Sequence, residues 1–171
     1  MGAGKTTVGK ELARRLGWTF QDLDEIIESS QGASVASIFA EAGEAGFRRL
    51  EHTALEELLA GKRKERGGNQ VVALGGGAFA QADNRQLLDR AGATVILLQA
   101  PLEELRRRCR QDNKIRPLAR NDAEAGFAQL FAERQAAYDL ARFRVETMDK
   151  AVDDVAAEIE RMLAAAQREV T

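Results

Sequence analysis

The chain has one cysteine, two prolines and 5% aromatic residues among its 171 residues. A single cysteine, Cys109, cannot form a disulfide within the chain, and the N-terminus lacks the basic and apolar parts of a secretory signal. We therefore expect a reducing, cytoplasmic setting. No apolar run approaches the roughly 20 residues that cross a bilayer, so we expect no membrane association. Fifteen Gly with only two Pro exclude a collagen-like or proline-rich chain.

An excess of charge of one sign is also absent. The chain carries 25 Lys and Arg against 27 Asp and Glu, for a net charge of -2. Such a balance gives no general attraction to nucleic acid, and any polyanion must be bound at a local site. We expect a small-molecule partner and no nucleic acid. The length and the 44% hydrophobic content fit a single globular domain, residues 1–171.

Short apolar runs alternate with helical patterns along the chain. Four runs are typical of strands: Trp18–Gln21, Val71–Leu74, Val95–Leu98 and, more weakly, Phe143–Val145. The clearest helical pattern is Val152–Ala166, whose apolar residues keep a 3.6-residue period and are expected to pack on this same domain. The alternation predicts an α/β fold, a parallel sheet with helices on both faces.

Two polar segments interrupt this pattern. The charged stretch Gly61–Gln70 is expected to be a solvated loop. Residues 112–125 form a longer connection with little apolar material, which makes them a candidate lid. Arg116 lies inside this segment, directly before Pro117.

A glycine-rich loop opens the chain and leads into an amphipathic helical pattern, Lys5–Leu16. Its sequence is Gly2-Ala3-Gly4-Lys5-Thr6-Thr7. Glycines let backbone N–H groups surround phosphate oxygens, and the helix N-terminus adds partial positive charge. Lys5 would reach the outer phosphates, and the Thr6 hydroxyl could ligate Mg²⁺. These features are most of a P-loop, the phosphate-binding loop of many nucleotide-binding proteins.

The P-loop pattern is incomplete at its start. The full pattern has a further Gly five residues before the Gly-Lys pair, preceded by a buried apolar strand, whereas Met1 lies only three residues before Gly4. The first core strand is therefore expected to be missing from the sequence as given. Two explanations stay open: a start placed too far downstream, or a real truncation.

Carboxylates and glycines follow two of the predicted strands. Asp22 and Asp24 come after the first strand and would share a face if that strand continued. One could lie near Mg²⁺ while the other orients or deprotonates a hydroxyl; the alternative is a solvated turn or helix cap, which a preceding P-loop helix makes less favoured. Residues 75–77, three glycines, follow the second strand and are either a flexible turn or a close backbone approach to a ligand.

The order and spacing of these motifs resemble those of the shikimate kinases over nearly the whole chain. The matching segments are the opening loop, Asp22-Leu23-Asp24, Ile38-Phe39, Gly46-Phe47-Arg48 through Glu51, Gly75-Gly76-Gly77, Arg116-Pro117-Leu118, and Glu133-Arg134 with Tyr138. The resemblance implies ATP- and Mg²⁺-dependent phosphorylation of the 3-hydroxyl of shikimate, a step toward chorismate and the aromatic amino acids. It also implies a P-loop kinase fold related to nucleoside monophosphate kinases, a five-stranded parallel sheet, a mobile lid and a monomer.

The resemblance implies roles on the nucleotide side as well. The loop at residues 2–7 would bind the ATP phosphates, with Lys5 reaching the outer ones. Thr6 would be a Mg²⁺ ligand, and Asp22 would assist the metal. Arg116 would contact the transferring phosphate from the lid. Arg108 would lie against adenine, with Arg110 as the alternative because the spacing to Arg116 is one residue longer than usual.

On the acceptor side, Asp24 would bind the shikimate hydroxyls and orient or accept the proton of the attacking one. Arg48 and Arg134 would hold the shikimate carboxylate. The remaining substrate-binding residues implied are Phe39 and Phe47, which would line the ring, and Gly75, Gly76 and Gly77, the last two as backbone N–H donors.

Three functional hypotheses remain at this point. The first is an active shikimate kinase, and the second is an N-terminally truncated, catalytically impaired remnant. The third is a related small-molecule kinase, such as one acting on gluconate, since Asp22 and Asp24 would suit any hydroxyl acceptor. The combination of Phe47-Arg48 with the three glycines favours shikimate. His52 is expected to be a satisfied or surface histidine, and Cys109 a packing or helix-surface residue.

Overall fold

The computed structural model describes residues 2–64, 68–111 and 125–168. Within these ranges the helices are α1 (Lys5–Leu16), α2 (Leu23–Gln31), α3 (Val35–Lys64), α4 (Ala82–Arg90), α5 (Leu102–Gln111), α6 (Ala125–Tyr138) and α7 (Val152–Arg168). The strands are β1 (Thr19–Asp22), β2 (Gln70–Ala73), β3 (Ile96–Gln99) and β4 (Phe143–Glu146). No helix in these ranges is long and apolar enough to cross a membrane.

The first helix begins and ends at glycines in the left-handed conformation. Gly4 precedes it with φ 83°, and Gly17 ends it with φ 66° while its N–H bonds back to the last turn. This is the αL C-cap for which glycine is preferred, because it has no Cβ. Val8 and Leu12 form the buried stripe that their spacing predicts.

The strands form two parallel pairs. β1 pairs with β2, with Phe20 opposite Val71, and β3 pairs with β4, with Leu98 opposite Val145. All four predicted strands exist, with ends shifted by about a residue from the sequence expectation. The resemblance implied one five-stranded sheet, whereas the described strands form two separate two-stranded sheets.

Helices cover these sheets and build two main apolar clusters. In one cluster, Leu23, Ile27 and Leu55 of α2 and α3 are fully buried. In the other, Val145 of β4 packs with Val155 of α7 and with the apolar stripe of α1. The apolar stripe of α7 is therefore core packing, as its period predicts.

The third helix differs from the sequence expectation. It continues to Lys64, so the expectation of a loop over the whole of Gly61–Gln70 is wrong for residues 61–64. Lys and Arg have high helix propensity, which lets a charged run extend a helix. A break at Gly43, with φ 67° and ψ -177°, divides the 30-residue element. The expected lid falls almost wholly on residues 112–124, outside the described residues, and α6 begins at Ala125.

Candidate functional site

The first part of the site joins the start of α1 to the end of β1. The Thr6 hydroxyl donates a hydrogen bond to Oδ2 of Asp22 at 2.8 Å. The other oxygen of Asp22 accepts from the backbone N–H of Asp24 at 3.1 Å and caps α2. One carboxylate thus ties the predicted phosphate loop to the element that carries Asp24.

The placement of Asp24 corrects one expectation. β1 ends at Asp22, so the two aspartates do not share a strand face, and Asp24 lies in the first turn of α2. The cause is local, because an Asp that caps a helix ends the strand before it. Asp24 still faces the glycine turn after β2: a Cβ on Gly75 would lie 2.8 Å from its Oδ1. The carboxyl ends of β1 and β2 therefore meet here, as the parallel sheet predicts.

A buried glutamate, Glu51, lies on the other side of the same glycine. Its side chain is fully buried, and its Oε2 accepts from Nη1 of Arg48 at 2.8 Å and from Nε2 of Gln81 at 2.7 Å. Its Oε1 has no hydrogen-bond partner and lies 2.7 Å from the position of a Cβ on Gly75. Gly75 is glycine because a side chain there would collide with two carboxylates.

The environment of Glu51 changes its ionisation. Burial raises the pKa of Glu51, and the negative charge of Asp24 acts in the same direction. The positive charges of Arg48 and Arg134 oppose this shift without cancelling it. In the sequence, Glu51 belongs to a motif of the resemblance, which implies no role for it. The available signal was its position three residues after Arg48, the spacing of a helical ion pair.

Arg48 is held on three sides. Glu44 accepts from its Nη2 at 3.2 Å, Glu51 accepts from its Nη1, and the guanidinium lies 5.5 Å from the Phe47 ring centroid. A side chain on Gly77 would collide with this guanidinium. The arginine therefore lies directly against the glycine turn, in a fixed orientation.

Two aromatic residues and two residues of α6 also lie near Arg48 and the glycine turn. The rings of Phe39 and Phe47 have centroids 4.5 Å apart and are tilted by 31°. From α6, the Tyr138 hydroxyl donates to the backbone oxygen of Gly76, and Arg134 is 8% exposed. The structure thus brings Asp24, Phe39, Phe47, Arg48, residues 75–77 and Arg134 to one region.

The residues predicted to bind the nucleotide lie against other elements than the residues around Gly75, namely α5 and the segment after β4. Gly2, with φ 69°, packs so closely on α5 that a Cβ would lie 2.6 Å from the backbone oxygen of Leu105. Arg108 is anchored after β4: its guanidinium donates to the Thr147 backbone oxygen at 2.9 Å and to the Thr147 hydroxyl at 3.0 Å. Glu104 accepts from its Nε at 2.7 Å. The alternative residue, Arg110, is exposed.

The sequence analysis did not identify Thr147. This residue accepts hydrogen bonds from Arg108. Its N–H and its hydroxyl both donate to the backbone oxygen of Gln99. Gln81 and Asn84 were not identified either, because their partners, Glu51 and His52, are known only from the packing of α4. Asn84 is fully buried and lies 2.7 Å from Nδ1 of His52, so this histidine is satisfied as expected. Arg116 lies outside the described residues.

The described side chains can be examined for oxygen ligands that would bind Mg²⁺. Within residues 2–64, 68–111 and 125–168, no group of three or more His, Cys, Asp or Glu side chains could hold a metal. Mg²⁺ at nucleotide sites usually takes one or two protein oxygens and completes its shell with water and phosphate oxygens. The Thr6 hydroxyl and the Asp22 carboxylate supply two adjoining hard oxygens at the phosphate loop, and they fit this ion.

A phosphate loop that begins a helix, with carboxylates and glycines at the ends of neighbouring parallel strands, defines a P-loop kinase of the α/β class. Comparison with known proteins gives the family. The shikimate kinase family profile matches residues 1–164. The chain therefore belongs to the shikimate kinase family.

Individual relatives support the same family assignment. The shikimate kinase of Geobacter metallireducens is 43% identical over 160 residues, which cover 93% of this chain and 85% of that protein. That of Persephonella marina is 39% identical over 159 residues, covering 93% of this chain and 92% of that protein. The structure of shikimate kinase from Acinetobacter baumannii in complex with shikimate has a TM-score of 0.87 and 38% identity, covering 97% of this chain and 89% of that one.

Proposed function

We propose that this protein transfers the γ-phosphoryl group of ATP to the 3-hydroxyl of shikimate, giving shikimate 3-phosphate and ADP, in the route to chorismate and the aromatic amino acids. One observation carries the proposal. Asp24 and Arg48 meet at the same glycine turn, and Asp22 connects Asp24 to the phosphate loop. A hydroxyl acceptor bound at that turn lies beside the phosphate donor.

On the donor side, the backbone N–H groups of residues 2–4 and the N-terminus of α1 would hold the ATP phosphates, and Lys5 would reach the outer ones. Thr6 and Asp22 would hold Mg²⁺, which neutralises negative charge on the phosphate oxygens when it is bound. Phosphoryl transfer needs mainly positioning and charge stabilisation, so these groups supply most of what the donor requires.

On the acceptor side, Asp24 would accept a hydrogen bond from the 3-hydroxyl and take its proton as the oxygen attacks the γ-phosphorus. The new oxygen–phosphorus bond forms as the bond to ADP breaks, and the proton remains on the Asp24 carboxylate until solvent removes it. A carboxylate held at a helix N-terminus keeps a fixed direction relative to the glycine turn.

Two arginines would bind the shikimate carboxylate. Arg48 is already oriented by Glu44 and Glu51, so little side-chain freedom is lost when it binds. Arg134 approaches from α6 and is almost fully buried. Planar guanidinium groups recognise a carboxylate through paired hydrogen bonds that lysine cannot form.

The remaining proposed contacts belong either to shikimate or to ATP. Phe39 and Phe47 would line the shikimate ring, and the backbone N–H groups of Gly76 and Gly77 would donate hydrogen bonds to the substrate. Arg108 would lie against adenine, supported by Thr147. Arg116 would contact the transferring phosphate when a lid at 112–125 closes and excludes water. We expect the enzyme to be a monomer.

The test is the variant Asp24→Asn, which keeps the shape of the side chain and removes the base. We expect kcat for shikimate-dependent ADP release to fall by about 10²- to 10⁴-fold, with the Kd for ADP unchanged. The matched control is Asp89→Asn, an exposed aspartate on α4. Unchanged kcat in Asp24→Asn would remove the proposed base. Gluconate in place of shikimate tests the related-kinase alternative, and we expect no ADP release above background.

A further inference from the structure

The glycine turn after β2 is held through its carbonyl oxygens. Each carbonyl oxygen of residues 75–80 accepts a hydrogen bond. The donors are the backbone N–H groups of Ala78, Ala80 and Gln81 and the side chains of Asn84, Arg85 and Tyr138. The N–H groups of Gly76 and Gly77 differ, because no described residue accepts a hydrogen bond from either of them.

The N–H of Gly77 is the more informative of these two donors. Gly77 is buried, and buried backbone N–H groups almost always have a hydrogen-bond partner. A buried donor without a partner costs free energy, which an oxygen acceptor of a bound molecule would recover. The direction in which this N–H points therefore matters for binding.

The carbonyl group of Gly76 and the N–H of Gly77 belong to one peptide unit. The unit is planar and trans, so the two groups point in opposite directions. Glycine adopts both signs of φ, so a peptide between two glycines turns over at a lower cost than one between other residues. A turned peptide would present its carbonyl oxygen where the N–H now lies. A hydrogen bond to the oxygen of Gly76 therefore sets the direction of the N–H of Gly77.

Tyr138 supplies this hydrogen bond from a distant part of the chain. It lies 62 positions after Gly76, and its ring packs against the apolar cluster of α2 and α3. Asn84 and Arg85, in contrast, lie within six positions of the carbonyl groups that they bind. A tyrosine hydroxyl has one proton, and Tyr138 donates it to Gly76. Tyr138 therefore acts on a ligand through the peptide.

We propose that Tyr138 is a positioning residue for shikimate binding: its hydroxyl holds the peptide between Gly76 and Gly77 so that the N–H of Gly77 faces the substrate. The inference rests on the proposed function, in which Gly77 is a substrate donor. Arg134 lies four residues before Tyr138, on the same face of α6. One helix thus supplies a ligand for the shikimate carboxylate and orients a backbone donor.

The test is the variant Tyr138→Phe, which removes the hydroxyl and keeps the packed ring. Steady-state kinetics should show a KM for shikimate raised by about three- to tenfold, the loss of one hydrogen bond, with kcat and the KM for ATP near wild type. Amide relaxation dispersion of the substrate-free protein should show exchange at Gly77 in the variant and none in wild type, because the peptide then alternates between two directions.

The matched control is Gln129→Ala, which removes an exposed hydrogen bond within α6, to Glu133, and should match wild type in both measurements. An unchanged KM for shikimate in Tyr138→Phe, or no exchange at Gly77, would overturn the proposal. So would an equal rise in KM in Gln129→Ala, since the cause would then be the stability of α6. A wild type that releases no ADP with shikimate would instead refute the proposed function, and relaxation dispersion would still show whether Tyr138 holds the peptide.

Discussion

The acceptor side and the nucleotide side of the site are built by different means. On the acceptor side, Glu51 connects Arg48 to Gln81, so side chains from distant parts of the chain hold one another inside the protein. On the nucleotide side, backbone groups of residues 2–4 are proposed to bind the phosphates, and Asp22 holds the Thr6 hydroxyl beside them. The acceptor side is one connected network of side chains, whereas Thr6 and Arg108 are held at separate points by Asp22 and by Thr147, so substitutions on the two sides should have different effects.

Among the substitutions that distinguish the two sides, Arg48→Ala should have the largest effect. Removing Arg48 leaves the buried Glu51 without its ion-pair partner and removes one of the two arginines proposed to bind the shikimate carboxylate. We expect the KM for shikimate to rise by about 30-fold or more, with the KM for ATP nearly unchanged. Steady-state kinetics of ADP release measures both.

Arg49→Ala is the matched control, since this neighbouring arginine on α3 is exposed. It should leave both KM values near wild type. An equal rise in the KM for shikimate in the two variants would mean that general positive charge, and not the oriented Arg48, binds the substrate.

The next effect should come from Gly75→Ala. Its new methyl group would lie 2.7 and 2.8 Å from oxygens of Glu51 and Asp24, so both carboxylates must move. We expect a loss of about 1–3 kcal/mol in the free energy of unfolding, measured with urea. The control Gly61→Ala has open space for its methyl group and should stabilise helix α3 by about 0.5–1 kcal/mol. A Gly75→Ala protein as stable as wild type would show that the turn is not tightly packed.

Arg108→Ala tests the nucleotide side. Loss of the guanidinium held by Thr147 should raise the KM for ATP by about tenfold and leave the KM for shikimate unchanged, which is the reverse of the Arg48 pattern. The control is Arg107→Ala on the same helix, whose hydrogen bonds stay within α5. If the Arg107 variant shows the same change, the effect comes from α5 stability and not from adenine contact.

The smallest effect is a pH dependence from Glu51. Because burial raises its pKa, the folded protein favours the protonated carboxyl, and ionisation costs stability. Relative to Glu51→Gln, wild type should lose free energy of unfolding as pH rises from about 4.5 through the raised pKa. Urea unfolding at several pH values measures this difference, with Glu57→Gln, an exposed glutamate on α3, as control. A wild type that gains stability over Glu51→Gln with rising pH would contradict the assignment.

Local sequence patterns predict only part of the site. The loop at residues 2–7 is a local pattern that could be predicted before the fold, whereas the pattern of the glycines at 75–77 left a flexible turn and a ligand contact both open. Asp22 lies beside Thr6 of the loop, and its predicted metal role stays a prediction. Its capping of α2 stops β1 from continuing to Asp24. The competition between a strand and a helix cap is decided by backbone bonds that a residue pattern does not show.

The missed residues depend on packing. A glutamate on a helix is usually exposed, whereas Glu51 is buried against Arg48, Gln81 and Gly75, which the fold brings around it. Thr147 and Gln81 carry no recognisable motif, and their value comes from the partners that folding gives them. The proposed roles of Arg116 and the lid remain predictions from sequence.

The most direct test of the account is ADP formation from ATP by the purified protein, with and without shikimate and with Mg²⁺ present. We predict that ADP appears only when shikimate is added, with one shikimate 3-phosphate formed for each ADP. ADP release at the same rate without shikimate, or no release at all, would contradict a site in which a phosphate donor and a carboxylate-bearing acceptor meet at neighbouring strand ends.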